Sequence, residues 1–130
     1  MSYHERIASR ILKQLGIPEI SREVEVSYAN FVVRFRWDGV GRKNGRLVLV
    51  EVEPRDVSED HIRLHVTSFA ILAYLRKNIA ELIWVVHDDS MNCHTQLKSY
   101  ATCWALLLEE ISGKQLPPMK YYNRNGVQLD

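Results

Sequence analysis

The chain has 130 residues, of which 46% are hydrophobic and 25% are charged, and its formal net charge at pH 7 is +1. These proportions are typical of one globular domain over residues 1–130 and exclude a disordered, collagen-like or disulfide-rich chain. The near-neutral charge excludes a globally basic protein, so contact with nucleic acid would require a local basic patch.

The N-terminal segment MSYHERIASRILK contains no apolar signal sequence, and the longest apolar run, FAILAYL, is far shorter than the ~20 residues that span a bilayer. The two cysteines, Cys93 and Cys103, lack the paired spacing of a zinc site. We therefore expect a cytoplasmic protein that does not contact a membrane.

The first predicted element is a helix. Ser2 and Glu5 fit a capping box, and Gly16 provides a stop signal. Between them, apolar residues recur at helical spacing: Ile7, Ile11 and Leu15.

Two alternating segments, EVEVSY and FVVRFRW, then predict β-strands. In the second strand, the apolar residues Phe31, Val33, Phe35 and Trp37 share one face, and Arg34 and Arg36 share the other. A hairpin follows, because Asn-Gly at residues 44–45 favours a type I′ turn, in which both central residues have positive φ. This turn leads into the strand RLVLVEVE.

Pro54 ends that strand, and Ser58 begins a second helix that we expect to run to about Asn78. The segment ELIWVV predicts a buried strand, and Ser90 is a candidate cap for a third helix that stops at Gly113. The core positions predicted in this helix are Leu97, Ala101, Trp104, Leu108 and Ile111. The order α-β-β-β-α-β-α, with central strands that are apolar on both faces, predicts an α/β fold with a mixed central sheet flanked by helices.

The hairpin brings acidic residues together. If the two-residue turn closes it, Asp38 lies directly opposite Glu51, and Glu53 lies on the same face opposite Arg36. Opposed side chains are about 4.5–5.5 Å apart at Cβ, so like charges destabilise the sheet unless they are compensated. A bulge at the nearby glycines would separate the two acids.

A divalent cation would compensate this repulsion, because Mg²⁺ takes oxygen ligands and usually binds one or two carboxylates. The alternative is a solvated strand end in which Glu53 pairs with Arg36. The strand is apolar on both faces up to Glu51, and unpaired charge is costly at the edge of a buried element. We therefore favour a functional role for Asp38 and Glu51.

The segment WDGVG, the Asn-Gly turn and RLVLVEVEP, set in this order of elements, resemble the PD-(D/E)XK nuclease superfamily, whose fold is that of restriction endonucleases and minimal resolvases. The resemblance covers most of residues 3–112. It implies hydrolysis of DNA phosphodiester bonds with Mg²⁺ or Mn²⁺ bound by Asp38 and Glu51. Glu53 occupies the position of the motif lysine, which implies that Glu53 is a metal ligand or accepts a proton from water.

Other residues are candidates by the same resemblance. It implies that His65, in the second helix, contacts the site and that Glu5 completes the metal site, although the capping box explains Glu5 without chemistry. His61 lies one turn from His65, and we expect it to flank the core. A weaker candidate metal site at the end of the fourth strand consists of His87, Asp88 and Asp89. The C-terminal Tyr121 and Tyr122 are expected in a tail packed on the domain.

Three functions remain open. The first is a structure-specific nuclease, a homodimer that binds DNA through its basic residues Arg34, Arg36, Arg42 and Lys43. The second is an inactive nucleic-acid-binding module of the same fold, which the absence of the motif lysine favours. The third is a protein-interaction domain with no nucleic-acid partner, which the near-neutral charge favours.

Overall fold

The structure, a computed structural model, describes residues 1–76, 78–87 and 91–130. Its helices are α1 (Tyr3–Gln14), α2 (Glu59–Arg76) and α3 (Met91–Ser112). Its strands are β1 (Glu19–Tyr28), β2 (Phe31–Lys43), β3 (Arg46–Glu53), β4 (Ile79–Val86), β5 (Met119–Asn123) and β6 (Gln128–Leu129). The predicted order α-β-β-β-α-β-α is confirmed, and two further strands follow it.

The six strands form one mixed sheet in the order β1-β2-β3-β4-β5-β6. The first three strands pair antiparallel, β3, β4 and β5 pair parallel, and β6 returns antiparallel to β5. The predicted α/β class with a mixed sheet between helices is confirmed. Among the described residues, no helix is long and apolar enough to cross a membrane.

The sheet separates two hydrophobic cores, and β3 contributes to both because its side chains alternate between the faces. Val48, Val50 and Val52 pack with the apolar side of α1. Leu47 and Leu49 pack with residues of α2 and α3 on the opposite face. Glu51 and Glu53 continue the second series, so this strand directs them toward α2.

The start of α2 positions the histidines of that helix. The Ser58 hydroxyl accepts a hydrogen bond from the backbone N–H of His61 at 3.3 Å, as a capping serine does. The helix then continues to Arg76, close to the predicted end. The predicted cap of α3, Ser90, and the candidate residues Asp88 and Asp89 lie outside the described residues.

The β2–β3 hairpin has the predicted turn and register. Asn44 and Gly45 have φ values of 54° and 78°, as a type I′ turn requires. Regular pairing then runs to Gly39 opposite Val50. This pairing, over residues 39–43 of β2, contains no bulge, and it ends one residue before Asp38.

A bulge does occur on the other side of β2. Val40 pairs with Ser21 of β1 but Arg36 pairs with Glu23, so four residue steps in β2 face only two in β1. The irregular stretch contains Asp38. This bulge interrupts the alternation of side chains along β2, so Arg36 lies on the face of the sheet that carries α1.

The predicted opposition of Glu53 and Arg36 is therefore wrong. The Arg36 guanidinium contacts Glu5 at 2.9 Å and Glu23 at 3.6 Å. The carboxylate of Glu53 contacts His61 of α2 instead. The physical reason is the bulge, because alternation along β2 does not continue unchanged past it.

Three other details differ from the sequence predictions. Phe31 and Val33 are 71% and 43% exposed, because the β1–β2 hairpin extends beyond the helices. Ile111, expected in the core, is 74% exposed on the last turn of α3. The expected C-terminal tail forms an additional sheet strand, β5, in which Tyr121 and Tyr122 are buried.

Candidate functional site

Two buried glutamates form the floor of the candidate site. Glu51 and Glu53 are 5% and 1% exposed at the end of β3. Burial, followed by repulsion from Asp38, raises the pKa of Glu51 to about 9. Burial also raises the pKa of Glu53 to about 7, against an opposing effect of His61. The cluster therefore carries more acidic groups than its surroundings can keep ionised at neutral pH.

Asp38 reaches this floor from β2. Its Oδ2 atom accepts a hydrogen bond from the backbone N–H of Val52 at 2.8 Å, across the end of the hairpin. Burial raises the pKa of Asp38, while a hydrogen bond with the Glu51 carboxyl lowers the pKa of Asp38 and raises that of Glu51. The two carboxyl groups therefore lie close enough to interact, and this interaction favours the protonated form of Glu51.

Two histidines from α2 cover the glutamates. The Nε2 atom of His65 lies 3.1 Å from Oε2 of Glu51. The Nε2 atom of His61 lies 3.2 Å from the same oxygen and 3.3 Å from Oε2 of Glu53. Residues four apart on a helix lie on one face, and the two imidazole centroids are 4.3 Å apart. Glu51 is therefore the common neighbour of both rings.

The tautomer of His65 follows from its surroundings. Its Nδ1 atom lies 2.9 Å from the carbonyl oxygen of His61, and because a carbonyl can only accept, Nδ1 carries the proton. Burial lowers the pKa of His65 to about 4, so the ring is neutral at pH 7. The Nε2 atom therefore presents a lone pair to Glu51.

Two polar atoms in this cluster are buried without a hydrogen-bond partner among the described residues: Nε2 of His61 and Oε2 of Glu53. Both lie near possible partners, but not in hydrogen-bond geometry. The other carboxylate oxygen of Glu53 accepts a long hydrogen bond of 3.4 Å from the backbone N–H of Ser58. Most buried polar groups in proteins are paired, so these two atoms point to a ligand at this place.

Glu5 is engaged elsewhere. Its Oε1 atom accepts the backbone N–H of Ser2 at 2.8 Å, which completes the capping box of α1. Its Oε2 atom contacts Arg36 at 2.9 Å and Arg22 at 3.5 Å. The hydrogen bond from the Ser2 backbone is the main reason that the pKa of Glu5 is lowered. The geometry favours the capping role over the implied role as a metal ligand.

The four basic candidates lie at different distances from the acids. Arg34 is exposed and pairs with Glu25 at 2.9 Å, and Arg36 pairs with acidic neighbours as described above. Arg42 and Lys43 are exposed near the turn of the hairpin. At roughly 3.4 Å per residue, Lys43 lies about 17 Å along the strand from Asp38. The structure does not bring these four residues into one patch around the acids.

The structure brings together Asp38, Glu51, Glu53 and His65 from the predicted set, and adds His61. The sequence reveals only that His61 shares a helix face with His65. It does not reveal that this face lies over the acids, because that depends on how α2 packs across β3. The oxygen and nitrogen atoms of Glu51, His61 and His65 all lie within 4.8 Å of one another.

The chain was compared with protein-family models, with curated proteins and with solved structures, and none of them matches it. The resemblance to PD-(D/E)XK nucleases therefore rests on the motif residues and their arrangement alone.

Proposed function

We propose that this protein is a metal-dependent nuclease that hydrolyses DNA phosphodiester bonds at the end of the β2–β3 hairpin. The observation that carries the proposal is the interaction between the half-buried carboxyl of Asp38, held by the Val52 N–H, and the buried carboxyl of Glu51 on the neighbouring strand. Acids with perturbed pKa values that share one site are characteristic of catalytic centres. The motif that includes both residues supports phosphodiester hydrolysis as the reaction.

The donor atoms of this site fit a divalent cation. Asp38 raises the pKa of Glu51, and Glu51 and Asp38 both raise the pKa of Glu53, so the three carboxyl groups lie close enough to interact. Mg²⁺ or Mn²⁺ held by Asp38 and Glu51 would supply stabilisation for the negative charge that develops on the phosphodiester.

Glu53 is suited to accept a proton from the attacking water. Its Oε2 atom has no hydrogen-bond partner among the described residues, and its pKa of about 7 matches the range in which a general base is efficient. The Nε2 atom of His65 lies 3.1 Å from Oε2 of Glu51 and helps to fix that carboxyl. Glu53, at the position of the motif lysine, is thus the proton acceptor.

Substrate binding would use the exposed part of β2. Arg34 and Arg36 have side chains that are 60% and 65% exposed, so both guanidinium groups are accessible to phosphates despite their acidic partners. Binding through such groups releases counterions and weakens with salt. One domain of this size offers little surface for reading a long sequence. We therefore propose structure-specific cleavage by a homodimer.

The arrangement of the elements supports a restriction endonuclease-like fold as part of this proposal. An antiparallel β1-β2-β3 unit is followed by α2 and a parallel β4, and the acids lie at the end of β3. An inactive nucleic-acid-binding module is the second candidate. The observation in its favour is Glu53, which replaces the positive charge of the motif with a buried acid.

A cleavage assay on labelled branched and linear DNA with Mg²⁺ or Mn²⁺ tests the proposal. We expect cleavage by the wild type, and its loss in both Asp38→Asn and Glu51→Gln. Glu110→Gln is the matched control, because Glu110 is exposed on α3, away from the site. Salt-dependent DNA binding without cleavage on any substrate would favour the inactive module. Absence of both binding and cleavage would overturn the nucleic-acid proposals.

A further inference from the structure

We infer that Glu51, His61 and His65 form a binding site for a divalent transition-metal ion of the Zn²⁺ class, with two imidazole nitrogens and one carboxylate oxygen as ligands. This assignment differs from the oxygen-only site expected for Mg²⁺. The site shares Glu51 with the proposed nuclease site. A role for it in catalysis rests on the proposed function, whereas its affinity for metal can be measured without nucleic acid.

The spacing of the ligand atoms supports the assignment. Oε2 of Glu51 lies 3.1 Å from Nε2 of His65 and 3.2 Å from Nε2 of His61. A tetrahedral ion with bonds of about 2.0–2.1 Å holds its ligand atoms about 3.3 Å apart. Two of the three separations are therefore close to what a shared ion requires, and all three ligand atoms lie within 4.8 Å of one another.

The hydrogen bonding of His65 also fits a ligand. Its Nδ1–H donates to the carbonyl oxygen of His61 at 2.9 Å, which fixes the ring, and its Nε2 atom lies 3.1 Å from Oε2 of Glu51. Metal-binding histidines almost always donate their other ring N–H to a carbonyl, carboxylate or water. The bond therefore orients the ring in the way a metal-binding histidine needs.

The unpartnered atoms provide an independent observation. Nε2 of His61 is buried without a hydrogen-bond partner among the described residues, and so is Oε2 of Glu53, a residue that is only 1% exposed. A bound ion would coordinate the nitrogen. It would also place a positive charge close to the glutamate oxygen, so a single ion accounts for both atoms.

The donor set selects the class of ion. Imidazole nitrogens suit Zn²⁺, Cu²⁺, Ni²⁺ and Fe²⁺, whereas Mg²⁺ prefers oxygen ligands and retains several waters. Three protein ligands leave one tetrahedral position open, which is the arrangement of catalytic rather than structural zinc sites. Glu53 adjoins this ligand set, because its Oε2 atom lies 3.3 Å from Nε2 of His61.

Metal titration of the full chain tests the inference, after treatment with a chelator and in the absence of DNA. Zn²⁺ affinity is measured by competition, and Co²⁺ is used as a spectroscopic probe because its visible absorption reports the coordination geometry. We expect one ion per chain, retention of Zn²⁺ in millimolar Mg²⁺, and a loss of affinity of at least about tenfold in His61→Asn and in His65→Asn.

The control is His94→Gln, on α3 against the ring of Tyr121, which should bind as the wild type does. His61 is the more exposed ligand, with 27% of its side chain accessible, so its variant remains informative if His65→Asn fails to fold. Zn²⁺ and Co²⁺ binding equally well to wild type and to folded His61→Asn would overturn the inference, as would no binding at all.

The two proposals fail differently. Binding of Zn²⁺ and Co²⁺ that depends on the histidines, without cleavage of any DNA substrate, would support the metal site and remove the proposed nuclease. Cleavage with Mg²⁺ by a chain that binds neither Zn²⁺ nor Co²⁺ would support the nuclease and overturn the transition-metal site.

Discussion

The Nδ1 atom of His65 donates a hydrogen bond to the carbonyl oxygen of His61, one turn earlier in α2, at 2.9 Å. The two residues are thus linked through the backbone as well as through their shared neighbour, Glu51. Because an α-helix already uses the carbonyl of residue i for the N–H of residue i+4, this oxygen accepts a second bond at the start of the helix. The orientation of the His65 ring is therefore set by α2 itself.

The pH dependence of stability should reveal the buried proton of Glu51. The unfolded chain releases this proton near pH 4.5, whereas the folded protein holds it up to about pH 9. Raising the pH within this range therefore favours unfolding. The lowered pKa of His65 acts in the opposite direction, but only between about pH 4 and 6.5. Metal-free protein should lose stability from pH 7 to pH 9.

Urea unfolding at a series of pH values, in the presence of a chelator, measures this effect. The loss between pH 7 and pH 9 should be much smaller in Glu51→Gln, because the amide has no proton to release. Glu110→Gln, an exposed acid on α3, should follow the wild type. Identical slopes in Glu51→Gln and the wild type would show that Glu51 is ionised in the folded protein.

Glu53 should affect catalysis more than metal binding. The substitution Glu53→Gln keeps the size of this buried side chain but removes its ability to accept a proton. A positioned general base contributes about 10²–10⁴-fold to a rate, so the cleavage rate should fall by that order, while Co²⁺ affinity should fall less than it does in His61→Asn. Single-turnover cleavage and Co²⁺ titration on the same preparation measure the two effects. An unchanged rate would eliminate Glu53 as the proton acceptor.

The capping box of α1 should be structural only. Ser2→Ala removes the hydroxyl that accepts the backbone N–H of Glu5 at 3.1 Å. Loss of such a cap costs about 0.5–2 kcal/mol of unfolding free energy. Neither Ser2→Ala nor Glu5→Gln should change metal affinity, because the Glu5 carboxylate is bound to the Ser2 backbone and two arginines. Weakened metal binding in Glu5→Gln alone would restore Glu5 as a ligand.

The core between α2 and the sheet should dominate stability. Leu72 is fully buried and Leu64 is 61% exposed on the same helix, so truncation to alanine compares one substitution in two environments. We expect Leu72→Ala to cost about 2–5 kcal/mol, and Leu64→Ala to remain within about 0.5 kcal/mol of the wild type. Chemical denaturation of both variants measures the difference. Equal losses would contradict the packing of α2 described above.

The sequence was most informative where short-range chemistry decides the structure. The Asn44–Gly45 turn, the cap at Ser2 and the alternation in β3 each depend on neighbouring residues, and each was predicted. The pairing of β2 with β3 from Lys43 to Gly39 followed from the turn by counting. These features are local, so no knowledge of the packing was needed.

The features that the sequence did not reveal depend on packing between distant segments. His61 lies over the acids because α2 crosses β3, and no periodicity encodes that crossing. Arg36 faces α1 because β2 carries a bulge where it pairs with β1. The recorded pairing of β2 with β3 is regular. Strand β5 is only five residues long, and its pairing with β4 makes it part of the sheet.

The type I′ turn also has a consequence for how the site tolerates change. It is remote from the acids, yet its length sets the register of β2 against β3, which runs to Gly39 opposite Val50. One additional residue in this loop would slide β2 past β3 by one step and exchange the inner and outer faces of one strand. The geometry of the site therefore depends on the length of the loop at residues 44–45 as well as on the acidic residues themselves.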